Sequence, residues 1–181
     1  KGLYKIDFEK IDVNIFTGSA GLSVINLQVD TTVYAQMAKQ QILPHQVYDI
    51  QATALELSRI NLLKAYFSHS LALHKILLES PAVKLIQVDT LLSKNLPPTD
   101  HQTLYQKISK HLKYIDLDEL SLQHLKLNYL NQHPGTGIRT ISIEDLQLNL
   151  NDVRIDSLTQ RDANRLGHAK SVSASIQNLD R

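Results

Sequence analysis

The stretch Ile115-Asp-Leu-Asp-Glu-Leu-Ser-Leu-Gln-His-Leu-Lys-Leu127 decides the fold. Its apolar residues alternate, skip a place and alternate again: Ile115 and Leu117, then Leu120 and Leu122, then Leu125 and Leu127. Alternation marks a strand with one buried face, because successive side chains on a pleated backbone point to opposite sides. A skip sends the next apolar pair to the wrong face unless the backbone absorbs the extra residue. A β-bulge does so and bends the strand; the alternative is a tight turn at Asp118–Glu119 that opens a new strand. Both describe a curved sheet with one apolar face.

Working outward, the same figure recurs. It reads Ile6-x-Phe8-x-x-Ile11-x-Val13 near the start, then Leu22-x-Val24-x-x-Leu27-x-Val29. It returns as Leu71-x-Leu73-x-x-Ile76-x-Leu78 and as Ile141-x-Ile143-x-x-Leu146-x-Leu148-x-Leu150. The irregular spacing argues against a leucine-rich repeat, whose period is fixed. The expected fold is mainly β with a few short helices (α+β): a curved, twisted antiparallel sheet built from bulged strands and hairpins.

Between these strands the punctuation is clear. Thr17-Gly-Ser-Ala-Gly21 is a turn. Asp30 and Thr31 offer a helix N-cap, and Val33, Tyr34, Met37, Ala38 and Ile42 follow at helical spacing up to Pro44. Val47–Ile60 returns to strand, Asn61–Phe67 is a short helical or looped crossing, and Pro81 interrupts the next strand pair. Residues 89–103 predict an exposed loop, and Gln102–Leu112 a helix with Leu104, Ile108 and Leu112 on one face. His133-Pro-Gly-Thr-Gly137 is a strong turn, making a hairpin of the segments on either side. Val153–Leu158 is a further strand or a continuation, Gln160–Gly167 a loop, and Ser171–Leu179 a last strand. The loose similarity of Ala169–Ile176 to Val47–Leu57 suggests two units, 1–113 with helical insertions and a partial one at 114–181, joined in one continuous sheet.

Composition narrows the function classes. The 181 residues carry 19 basic and 18 acidic side chains, a net charge of +1 that gives no electrostatic case for nucleic acid. Cysteine and tryptophan are absent, which removes disulfides, thiol catalysis and Cys-ligated metals. No run is long enough for a transmembrane helix, and the start does not resemble a signal peptide. The sequence begins mid-pattern and ends within a strand-like stretch, so it is expected to be a piece of a longer protein.

Catalytic patterns are missing. The eight histidines show no His-Glu-x-x-His spacing, His69 and His74 fall on different faces or out of reach, and no calcium loop is present. Asp116 and Asp118 share the face opposite the apolar one and read as solvated surface charges, and Glu144 and Asp145 repeat the skip position of Asp118 and Glu119, which fits a turn or bulge preference. There is no Gly-x-Ser-x-Gly elbow, and Thr17–Gly21 lacks the lysine of a phosphate loop. The expectation is a protein that is not an enzyme and carries no metal or cofactor.

Certain residues resemble those of a known family. Tyr4-x-Ile6-x-Phe8-x-x-Ile11-x-Val13, a Gly turn and Leu22-x-Val24-x-x-Leu27-x-Val29 resemble the opening of an AsmA-like protein. So does Val47–Ile60, a short crossing, and then Leu71–Leu85 with its Ile76-Leu-Leu-Glu-Ser-Pro81-Ala-Val83 element. The helical insertions at 31–42 and 102–112 depart from the simplest form of the family. The resemblance implies a Gram-negative periplasmic protein, anchored in the inner membrane by a segment outside this stretch. It also implies kinship with bridge-like lipid-transfer proteins and a part in phospholipid traffic and outer-membrane homeostasis, with neighbouring sheet units as partners. Lipid would then lie along inward residues of the recurrent units: Leu117, Leu122, Leu127, Ile143 and Leu148. The alternative is a structural or protein-interaction domain of the envelope or cell surface, whose apolar face is a closed core beneath the helices.

Overall fold

A computed structural model describes residues 2–88, 94–95, 105–106, 109, 111–133, 137–159, 162, 164–166 and 168–176. The chain forms β1 (Tyr4–Asp7), β2 (Lys10–Asn14), β3 (Ser19–Val29), α1 (Thr31–Gln40), β4 (Gln46–Ser58) and α2 (Leu62–Ser68). It continues with β5 (Leu71–Glu79), β6 (Ala82–Gln87), β7 (Ile115–His133), β8 (Gly137–Ile155) and β9 (Ala169–Ile176). The fold is mainly β, and the nine strands among the described residues belong to one sheet. β1 and β2 pair with β3, then come β4, the collinear β5 and β6, β7, β8 and finally β9. The predicted hairpin is present: β7 and β8 pair from Ile115↔Ile155 to His133↔Gly137, and Val153–Ile155 continues β8.

One expectation needs correction. The sheet is mixed, not purely antiparallel, because β7 runs parallel to both β5 and β6. Parallel neighbours need a long crossover rather than a tight turn. Residues 88–114 connect β6 to β7, and the predicted loop and the Gln102–Leu112 helix fall there, largely outside the described residues.

The sequence skips prove to be aligned across the sheet. One transverse line runs through Gly18, Arg59, His74, Asp118, Asp152 and Lys170, each omitted from or flanking the ladder in step with its neighbour. Gly18, Arg59 and Asp152 there adopt positive φ. A second line passes through Val24, Thr53, Ser80 and His124 and reaches Asp145; all but Thr53 have positive φ. On β7 the sequence stays in a single strand through both skips, so the bulged alternative holds and Asp118–Glu119 is not a turn. The register of β7 against β8 shifts around Leu125, opposite Leu146. Each skip flips the phase of alternation, and because neighbours skip together the apolar side chains return to the same face. Pro81 suits its place between β5 and β6: the Ser80 and Lys126 amides donate to Gln123 and Pro81 carbonyls on either side of it, so no ladder donor is missed.

Both helices are capped as their sequences predict. Asp30 Oδ1 accepts from the amides of Thr32 and Val33 at 2.9 and 3.2 Å, and Lys5 Nζ lies 3.1 Å from Oδ2. The Val33 amide and Lys5 together hold the Asp30 carboxyl below its ordinary value. Asn61 Oδ1 accepts from Lys64 N at the start of α2. α1 covers one end of the sheet, where Tyr34, Met37 and Ala38 pack on buried Leu43, Val47 and Val88. A second cluster, Leu73, Leu117, Val153 and Ala169, lies at the other end.

The turn after β8 is pinned by Asp156, which accepts from the Leu158 and Thr159 amides at 2.9 and 2.7 Å and from Arg154 Nε at 2.8 Å. Partial burial raises its pKa, but the Thr159 amide, the Arg154 guanidinium and the Leu158 amide outweigh that and lower it to about 2. A depressed carboxylate stabilises the fold above its unfolded pKa and loses that contribution as pH falls through the folded one. Asp156→Asn keeps an acceptor but does not titrate. The wild type is therefore expected to have the higher urea midpoint at pH 5, and the gap should close between about pH 4 and pH 2. A gap constant with pH would mean that the charge contributes nothing.

Candidate functional site

Cross-strand partners share a face, so the register sorts the side chains. Ile11 faces Leu22, Leu22 faces Leu55, and the row runs through Leu78 and Leu122 to Leu148 and Ala174. The next row on that face passes from Val13 through Ala20, Leu57, Ile76, Leu120 and Leu150 to Val172. Across the second skip line, Ile6, Leu27, Ile50, Val83, Leu127 and Ile143 form a third. The rows one residue along from these point the other way and are mainly polar. Ser58, Lys75, Glu119, Asn151 and Ser171 make one, tied by a Lys75–Glu119 ion pair at 2.9 Å. One face is thus apolar without interruption across seven strands.

That face is not sealed among the described residues. Leu122, Leu127, Ile143 and Leu148 are each half-buried, and the margins open further, with Ile6, Ile11 and Val13 exposed at one edge and Val172 and Ile176 at the other. A shallow recess of about 130 Å³ on it is lined by Ile11, Ala20, Gly21, Leu22, Leu55 and Leu57. A larger cleft, about 510 Å³, lies on the opposite, polar face among Asp12, Asn14, Ser19, Glu56 and Ser58. There Asp12 is paired with Lys10 at 2.8 Å, and the lining includes no histidine to activate Ser19 or Ser58.

Of the five residues expected to line a lipid surface, the structure brings four together as two direct pairs. Leu122 faces Leu148, and Leu127 faces Ile143. Leu117 differs: it is 4% exposed and packed with Leu73, Val153 and Ala169, so it supports the face from within its most tightly packed end. The physical reason is position, since Leu117 lies next to the first skip line, where β9 begins and Ala169 extends the row Leu73, Leu117 and Val153.

Two contacts escaped sequence reasoning. His74 Nδ1 lies 2.8 Å from Asp118 Oδ2, and His124 Nδ1 lies 2.7 Å from Asp145 Oδ1. Both pairs sit on the skip lines, joining neighbouring strands where the ladder is interrupted. The available signal was the charged or polar residue at each skip. No group of three or more metal-ligating side chains occurs among the described residues. No protein-family model matches the chain, and no curated protein is significantly similar to it.

Proposed function

We propose that the chain is a non-catalytic module, AsmA-like in character, that holds lipid acyl chains on its apolar sheet face. In this reading it serves phospholipid transport or outer-membrane homeostasis in the periplasm of a Gram-negative bacterium, with an inner-membrane anchor elsewhere in the protein. The observation that carries it is the set of unbroken apolar rows, half-buried at the centre and open at the margins. Soluble proteins seldom leave so wide an apolar surface without an occupant. Each buried methylene contributes about 0.8 kcal/mol, so roughly ten of them supply about 8 kcal/mol before the cost of immobilising the chain. That suffices for reversible retention without any polar ligand group, and reversible retention is what transfer requires.

Mass spectrometry of organic extracts tests this. Purified wild-type protein is expected to carry near-stoichiometric phospholipid, and Leu122→Asp/Leu148→Asp to lose it while keeping its β circular-dichroism signal. Unchanged lipid in the variant, or collapse of its fold, would count against an open binding face. The second reading, a structural module, draws on the edges: among the described residues β9 pairs only with β8 and is exposed from Lys170 to Ile176, a template for a further strand. Under that reading the extracts contain no enriched lipid.

A further inference from the structure

The six most exposed large apolar side chains among the described residues are Phe16, Leu63, Tyr66, Phe67, Leu158 and Leu166, at 72–96%. All six lie at one end of the sheet, beyond the line through Gly18, Arg59, His74, Asp118, Asp152 and Lys170. Phe16 tips the β2–β3 turn; Leu63, Tyr66 and Phe67 belong to α2, between β4 and β5; Leu158 and Leu166 lie between β8 and β9. The first two elements are contiguous, since Ile15, Phe16, Leu62 and Leu63 line one open groove of about 350 Å³. The Ile60 amide donates to the Gly18 carbonyl at 2.7 Å beneath it, so the tip is held to a rigid base.

Unmatched cations collect on the α2 side of this end. From Leu57 to Leu78 the chain has no Asp or Glu but includes Arg59, Lys64 and Lys75. Arg59, Lys64 and Lys113 have no carboxylate partner among the described residues, although Lys64 also lies over the Tyr114 ring at 6.0 Å. The carboxylates at this end are occupied: Asp118 by His74, Asp152 by Arg165 and Lys170, Asp156 by Arg154 and Asp162 by Arg165. Asp116 lies in the field of Arg154. Apolar and aromatic tips with unmatched cations beside them complement a surface that is apolar within and anionic outside.

We propose that this end of the sheet docks on the surface of an anionic lipid bilayer, seating Phe16, Leu63 and Phe67 among the acyl chains and Arg59 and Lys64 at the phosphates. The inference is independent of the acyl-binding face, because an end that rests on a bilayer needs no groove, and either can fail alone.

The chain has no tryptophan, so Phe16→Trp supplies a clean reporter. With vesicles of phosphatidylcholine plus phosphatidylglycerol its emission should shift to the blue and be quenched by brominated acyl chains. With phosphatidylcholine alone the response should be weak. In co-sedimentation the anionic-vesicle partition coefficient should fall at least about tenfold in Phe16→Ser/Leu63→Ser/Phe67→Ser, and also in Arg59→Glu/Lys64→Glu at low salt. All these side chains are surface groups, and unchanged circular dichroism confirms the fold. Indole emission from the Phe16→Trp variant that is indifferent to anionic vesicles, or serine and glutamate variants that sediment like wild type, would overturn the proposal and leave the patch to a protein partner.

Discussion

Gly18→Ala should destabilise the protein by about 3 kcal/mol, read as a lowered urea midpoint with unchanged slope. Gly18 has φ +63°, which costs an L side chain roughly 1–2 kcal/mol by itself. A Cβ there would also lie 2.6 Å from the Ile60 carbonyl oxygen and 3.1 Å from its nitrogen. Both atoms are backbone and cannot swing aside, and the Ile60 amide is already bonded to the Gly18 carbonyl. Relief must move the junction of β4 and α2 away from the β2–β3 turn. A loss below about 1 kcal/mol would mean that this close approach is not maintained in solution.

Leu117→Ala should cost about 3 kcal/mol, whereas Leu122→Ala should cost only about 1 kcal/mol. The two leucines occupy the same strand and the same face, five residues apart. Leu117 leaves a cavity among Leu73, Val153 and Ala169; half-buried Leu122 leaves a dent that water or lipid can fill. Equal losses would show that the face around Leu122 is packed as tightly as the core and so is no open surface. Removing bound lipid before the measurement should leave the Leu117→Ala difference unchanged.

Much of this fold is legible in the sequence because alternation reports directly which face a side chain occupies. The skip at Asp118–Glu119 left a bulge or a tight turn open, the Asp30 cap marked α1, and Asn61 marked a crossing that could be helical or looped. What alternation does not carry is strand direction or partner, so the parallel pairing of β7 with β5 and β6 could not be seen. The alignment of the skips could not be seen either, since it follows from register between strands distant in sequence. The same limit applies to the candidate surface. The pairing Leu122–Leu148 followed from the hairpin turn at 133–137, but the burial of Leu117 depends on β9, which arrives much later in the chain. At the end proposed to dock on a bilayer the trace was compositional: Leu62, Leu63, Tyr66 and Phe67 crowd so short a helix that one buried stripe cannot accommodate them all.

The parallel seam also orders the chain's assembly in time. When the chain begins to fold, β1 to β6 can pair ahead of β7 through connections shorter than the β6–β7 crossover. The outer edge of β5 and β6 then waits for residues 88–114 to pass before β7 can reach it. Loop closure over such a distance is slow compared with hairpin formation, and in the interval an unpaired strand edge flanks an apolar face. A half-made sheet of this kind is an inviting template for another nascent copy. The β7–β8 hairpin, forming on its own by local contacts, can arrive as a preassembled unit and shorten that exposure.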